Sequence, residues 1–288
     1  MKINLIIPSF YPATVYGGPI FSTLHACKSL SELDDVEVYV STTNANRDSR
    51  LDVEKNNWVK FNDHFFVKYY NETLIGKFSL SFFLNVWKDI KSSNIVHLQS
   101  IFSTPTPIAL IYTLIFRKPV LISPRGSFCE WCLAQGSRFK KLWIKLIVNP
   151  FGSHISWHAT SEAEKEDILK LYPMSNVYVV PNGIDLNSFF HVNYLTKNMY
   201  TNKYIGKELE PSKIIISMGR LHKIKRFDIL IKSFVEILKT HSDSILLIAG
   251  KDTGEKENLD ALVKEYNLKN SVYFVGEVSN QDKVDFLG

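Results

Sequence analysis

Cysteine is scarce in this chain: of 288 residues only Cys27, Cys129 and Cys132 carry a thiol. An odd, small number argues against a disulfide framework and suits a reducing compartment. Long apolar runs are missing too. The longest late stretch, Ile108 to Phe116, is far too short to span a bilayer. The opening MKINLIIPSFYP has one lysine and breaks at Pro8 without a small-residue cleavage site, so no secretory signal is read there. These absences place the protein in the cytoplasm. No run of five Lys/Arg occurs, and the net charge of +5 is spread along the chain, which argues against nucleic-acid binding. A mild surplus of this kind suits anionic ligands such as nucleotides, or an anionic membrane surface. G-x-G-x-x-G is lacking, which disfavours a dinucleotide dehydrogenase, and the lack of G-x-x-x-x-G-K-[ST] excludes a P-loop. No internal repeat or low-complexity tract is present.

What is present is a globular composition, 45% hydrophobic and 22% charged, with chain enough for two domains. Short apolar, β-branched runs alternate with longer segments of helical period. Strands are expected at Ile3–Ile7, Val36–Ser41, Phe65–Tyr69, Ile95–Leu98, Val120–Ser123, Ile155–Ala159 and Val177–Val180, then at Ile214–Met218, Ile245–Ala249 and Val272–Val275. Helices are expected at about 18–32, 79–91, 106–116, 138–148, 161–171, 226–240 and 256–267. Runs such as ILLIA and IIISM are apolar on both faces, as in a parallel sheet covered on each side. The alternation is that of a doubly wound α/β fold. It pauses in a polar, Asn- and Tyr-rich stretch between Phe190 and Lys213. The expected organisation is a first domain over 1–190, a linker over 191–212 and a second domain over 213–288. With three strands and a last helix barely begun at Asp282, the second domain reads as incomplete, leaving an apolar face uncovered and residues missing from the C-terminus.

Two segments carry chemistry. In PSFYPATVYGGPIF, Gly17 and Gly18 stand between the first strand and a helix, where bare backbone N–H groups and a helix N-terminus can meet a phosphate. A plain strand-to-helix turn is the bland alternative. In SMGRLHKIKRFDILIKSF, Gly219 gives a tight strand exit, and Arg220 and Lys225 flank the next helix entry. Two cations at the carboxyl end of a strand can hold a diphosphate. A solvated basic turn that includes Lys223 and Arg226 is the competing reading.

The pieces GGP with its helix, HATSEAEKEDI, VVPNGIDLNSF, SMGRLHKIKRFDILIKSF, ILLIAGKD and VYFVGEV, in this order and over most of the chain, resemble glycosyltransferase family 4 and its GT-B fold of two Rossmann-like domains. SPRGSFCEWCLAQGSRFKKLW is similar to a branch that assembles bacterial surface polysaccharides. The resemblance implies a retaining glycosyltransferase that moves a hexose-type sugar from a nucleotide-sugar donor to a saccharide or lipid-linked saccharide. It implies no cofactor beyond that substrate and no metal, in keeping with the missing D-x-D. Arg220 and Lys225 match the family's diphosphate-binding pair, Gly17 and Gly18 its glycine loop, and Gly276 to Val278 a region that contacts the donor base. Asn182, Gly183 and Asp185 match an inter-domain signature read here as structural. Arg125 stands where many members carry a histidine; it cannot act as a base but can bind a hydroxyl or phosphate. The family's E-x7-E segment is expected beyond Gly288, which makes a catalytically inactive nucleotide-sugar-binding or scaffold fragment the alternative reading.

Smaller features have bland explanations. Cys129 and Cys132 form a lone C-x-x-C with no second pair for zinc. His97 and His158 end strands, where His97 could line an acceptor site or simply be satisfied locally. Glu162 and Glu164 fit a helix N-terminus capped by Ser161. The basic, aromatic helix from Arg138 could give peripheral contact with the inner face of a membrane, or be a surface helix with an apolar inner face and lysines outside.

Overall fold

The computed structural model describes residues 1–74, 78–183, 191–278 and 280–288, and Asp185 lies outside the described residues. The chain divides into two compact units, Met1–Gly183 and Ile184–Gly288. In the first unit β1 (Lys2–Ile6) leads to α1 (Gly18–Ser31), β2 (Glu37–Thr43), a small hairpin of β3 (Ala45–Asn46) and β4 (Ser49–Arg50), β5 (Trp58–Asn62) and β6 (Phe65–Tyr70). Then come α2 (Leu80–Ser92), β7 (Ile95–Gln99), α3 (Pro105–Ile115), β8 (Val120–Ser123), α4 (Glu130–Ala134), α5 (Ser137–Trp143), β9 (Ile155–Ala159), α6 (Glu162–Leu171) and β10 (Val177–Val179). The sheet order is β10-β9-β8-β7-β1-β2-β6-β5. Every pairing is parallel except β5 against β6.

This order makes the fold mixed α/β and doubly wound. The chain winds outward from β1 to β2 and β6, then crosses back to β7 on the other side of β1. The topological switch point lies between β1 and β7, where open sheets of this kind bind ligands. One face packs Val86, Ile90, Leu98, Ile122 and Trp157 into a core. The other packs Leu24, Cys27, Val38, Val40 and Val67, and burial pushes the Cys27 thiol far above its usual range. Ser79 and Ser161 cap α2 and α6, their hydroxyls accepting from Phe82 N at 3.1 Å and Glu164 N at 3.2 Å. The helix expected over 138–148 is α5 continued by a π-helical turn over Ile144–Val148.

The second unit runs α7 (Lys197–Ile205), β11 (Ile214–Met218), α8 (Phe227–Leu238), β12 (Ile245–Ala249), α9 (Lys256–Glu265), β13 (Val272–Gly276) and α10 (Asn280–Leu287). Its sheet is β11-β12-β13, all parallel. Two expectations are corrected here. The stretch read as a linker contains α7, whose Tyr200 and Tyr204 rings pack on Phe286 at 6.1 and 5.1 Å, and whose Thr201 is fully buried. The sheet face expected to be uncovered is covered by α7 and α10, around Leu247 and Phe286, while α8 and α9 cover the other. Asp285 ties these parts together. It accepts from Asn193 N at 3.3 Å, Gln281 Nε2 at 2.9 Å and Lys203 Nζ at 3.1 Å. Those donors hold its carboxyl well below the usual carboxylate range.

Candidate functional site

In the second unit all three strands end on glycine. Gly219 follows β11, Gly250 follows β12, and Gly276 closes β13. Gly219 N donates to Ala249 O at 2.9 Å and Gly250 N to Gly276 O at 2.6 Å. A Cβ on Gly250 would sit 1.8 Å from Gly219 O, so only glycine fits there. The loop after β11 is stapled to the loop after β12, with Leu221 N donating to Lys251 O at 2.9 Å and Thr253 N to Leu221 O at 3.2 Å. Sequence reasoning singled out Gly219 and Gly276 but missed Gly250. Its signal was the G that follows the apolar run ILLIA.

Arg220 and Lys225 project from this loop and are exposed. The Lys225 methylenes lie 3.6 and 3.7 Å from where a Gly219 Cβ would be, so its ammonium leaves from the strand exit itself. Nearby charges are engaged elsewhere. Arg226 is paired with Asp228 through bonds of 3.0 and 3.1 Å. Asp252 accepts from Gly254, Glu255 and Lys256 N at 2.9, 3.2 and 3.2 Å, and those backbone donors hold its carboxyl below the usual range. Among the described residues Arg220 and Lys225 make no ion pair. Two cations without a counter-charge among the described residues stand at a strand end closed by glycine, an arrangement that suits an incoming diphosphate. Gly276 is exposed, whereas the Val278 side chain is half-buried against the α7–α10 core, so this segment can offer a ligand its backbone rather than that side chain.

In the first unit the turn after β1 is fixed by buried Phe10 and Ala13, and by the Thr43 hydroxyl donating to Pro8 O at 2.7 Å. Gly17 has φ +76° and caps α1. Its own N–H goes to Thr14 O at 2.8 Å, and that of Ile20 goes to Gly17 O at 3.1 Å. Pro19 has none, so Gly18 is the residue of this turn placed to give an N–H to a phosphate.

The carboxyl ends of β7, β8 and β9 carry a polar chain. His97 Nε2 lies 2.7 Å from Ser123 Oγ, which lies 2.7 Å from His158 Nδ1, and His158 Nε2 donates to Val180 O at 2.8 Å. Burial, with lesser contributions from His158 and Arg125, pushes His97 down to about 3, so its ring is neutral near pH 7. Arg125 donates Nε–H to Gln99 Oε1 at 2.8 Å and Nη1–H to Asn182 Oδ1 at 2.6 Å. Glu164 does more than decorate a helix start: its carboxylate accepts from Gly126 N, Thr160 N and Thr160 Oγ1, each at 2.7 Å. The structure thus brings Arg125, His97 and Asn182 into one cluster, and adds Gln99, Ser123 and Glu164, which the sequence did not mark as site residues. At the switch point a cavity of about 390 Å³ is lined by Pro8, Ser100, Phe102, Ser103, Phe139 and Trp143. Cys129 serves locally, its Sγ accepting from Cys132 N at 3.4 Å to cap α4.

Glycosyltransferase Family 4 matches residues 16–188, more than half of the chain, and Glycosyl transferases group 1 matches residues 201–288. The chain belongs to glycosyltransferase family 4. Its fold is GT-B, as in HepE from Anabaena, solved in complex with UDP-glucose. The TM-score is 0.64 at 16% identity, covering 97% of this chain and 70% of HepE. Among curated family relatives, mannosylfructose-phosphate synthase from Agrobacterium fabrum is 28% identical over 44% of this chain and 29% of its own length. The uncharacterized glycosyltransferase MJ1069 from Methanocaldococcus jannaschii is 26% identical over 96% of this chain and 70% of its own.

Proposed function

We propose that the protein transfers a sugar from a nucleotide-sugar donor to a saccharide or lipid-linked saccharide, with retention at the anomeric carbon, in the synthesis of a cell-envelope polysaccharide. The observation that carries this reading is the uncompensated pair Arg220 and Lys225 at the carboxyl end of β11, where Gly219 closes the strand. The pair holds the donor's diphosphate. As the bond from the anomeric carbon to the phosphate oxygen breaks, charge gathers on the leaving nucleoside diphosphate. Two cations placed there stabilise that charge more in the transition state than in the ground state. The anomeric carbon bonds to an acceptor oxygen, and the proton of that hydroxyl ends on the leaving phosphate. Backbone from Gly276 to Val278 serves the base. No side chain is assigned as a covalent nucleophile, and the nucleotide sugar is a substrate with no further cofactor proposed. HepE's UDP-glucose is in keeping with such a donor.

The cavity at the switch point suits the acceptor. Aromatic walls from Phe102, Phe139 and Trp143 match the apolar face of a sugar ring, and the hydroxyls of Ser100 and Ser103 match its polar edge. Peripheral contact with a membrane fits the helix beside it. Phe139, Leu142 and Leu146 are 83%, 53% and 59% exposed, next to exposed Arg138, Lys141 and Lys145. Among the described residues no helix is long and apolar enough to cross a bilayer, so the contact proposed is with the membrane surface.

Calorimetric titration with UDP and with GDP tests the donor site. Arg220→Ala and Lys225→Ala are each expected to weaken binding by roughly 1–3 kcal/mol, the worth of a charge-assisted contact. Binding that neither substitution alters would sink the site.

A further inference from the structure

Arg125 is a charge that the fold positions without neutralising. Its backbone is left-handed at φ 57°, a sparsely populated region for a residue other than glycine. Its side chain is gripped from two elements, by Gln99 at the end of β7 and by Asn182 beyond β10. Both acceptors are neutral amides. Glu164, the carboxylate whose charge reaches it, has turned its oxygens to Gly126 and Thr160 instead. Among the described residues Arg125 makes no ion pair. A guanidinium has five N–H donors, so the two bonds to Gln99 and Asn182 leave three. A half-buried cation without a counter-charge opposes folding. Holding its plane between two amides makes physical sense when an outside oxyanion completes the set through the planar donor fork.

We propose that Arg125 anchors an oxyanion subsite at the carboxyl edge of the first unit's sheet, taking a phosphate or carboxylate oxygen of the acceptor. That the oxyanion belongs to the acceptor rests on the glycosyl-transfer reading; the subsite itself does not. Gln99 and Asn182 are positioning residues, which fix the guanidinium plane.

The test uses the full chain carrying Arg220→Ala and Lys225→Ala, so that the second unit's proposed phosphate contacts are gone and the two readings fail separately. Inorganic pyrophosphate and glucuronate are titrated by NMR into this chain and into the same chain with Arg125→Gln, Arg125→Lys or Gln99→Leu. At least one probe is expected to bind. Arg125→Gln should weaken it by about tenfold or more, and Arg125→Lys, which keeps the charge without the fork, by less. Binding of pyrophosphate alone points to a phosphorylated acceptor, of glucuronate alone to an acidic sugar, and of both to an unselective oxyanion subsite. Gln99→Leu should weaken the same probe several-fold by releasing the fork, and it carries the test if Arg125→Gln does not fold. Binding of neither probe, or equal binding by the background chain and the Arg125 and Gln99 variants, overturns the proposal.

Discussion

His97 shows how a polar side chain can sit at a strand end and still be electrically silent. Its pKa falls from an ordinary 6.5 to about 3, chiefly through burial. Between those values the unfolded chain binds a proton that the folded chain refuses. The contribution to stability is therefore complete above about pH 6.5 and is lost as pH falls towards 3, by at most about 1.4 kcal/mol per unit. Urea unfolding from pH 7 to 4 is expected to show this slope, and His97→Asn to flatten it; ring-nitrogen shifts in NMR that report a protonated His97 at pH 6 would refute the silent ring. The residues around it mark what the sequence could and could not tell. Arg220 and Lys225 could be singled out as candidates because a glycine, a strand end and two cations fall within seven residues of one another. The Arg125 cluster could not, because Gln99 and Asn182 are 26 and 57 residues from Arg125, and Ser123 bridges His97 and His158, 26 and 35 residues from it, and no local pattern names a partner at such range. Glu164 stands at the helix start expected of it, but its bond to Gly126 spans 38 positions and could not be read locally.

Among the elements, those apolar on both faces were read well. β11 and β12 begin and end where the runs IIISM and ILLIA do. β5 was missed because WVKFN lies at the sheet edge and is half-exposed, so it never shows the doubly apolar signature. α7 was missed because its buried side is made of tyrosine rings and a threonine set among Asn and Lys, which read as linker composition. α5 was placed correctly, but its outer side holds more than lysine. Phe139 and Leu142 project beside Arg138 and Lys141, and no acidic residue occurs from Trp131 to Ser161. Co-sedimentation should therefore be stronger with vesicles of phosphatidylcholine and phosphatidylglycerol than with phosphatidylcholine alone. Phe139→Ser with Leu142→Ser should reduce it without lowering thermal stability, since both side chains are already in water. Equal sedimentation with both vesicle types, or an unaffected double variant, would remove the membrane from the proposal.

At the scale of the whole molecule, each unit has a sheet with helices on both faces, and the second unit's stability leans on residues at its two sequence ends. Phe286 is fully buried against Tyr200 and Tyr204. Phe286→Ala is expected to cost about 3–5 kcal/mol, read as faster amide exchange in β11, β12 and β13 with the first unit's strands unchanged; acceleration spread evenly over both units would contradict it. Asp285, held ionised by its donors, adds stability that disappears as pH drops below the usual carboxylate range. The contact of Gly250 with the Gly219 carbonyl has a bearing on how this protein could be re-engineered. Because the two loops share that contact and the bonds of Leu221 to Lys251 and Thr253, they form one cassette. A donor-specificity graft that transplants residues 219–226 from another member must bring 250–255 along, or the recipient will reject it.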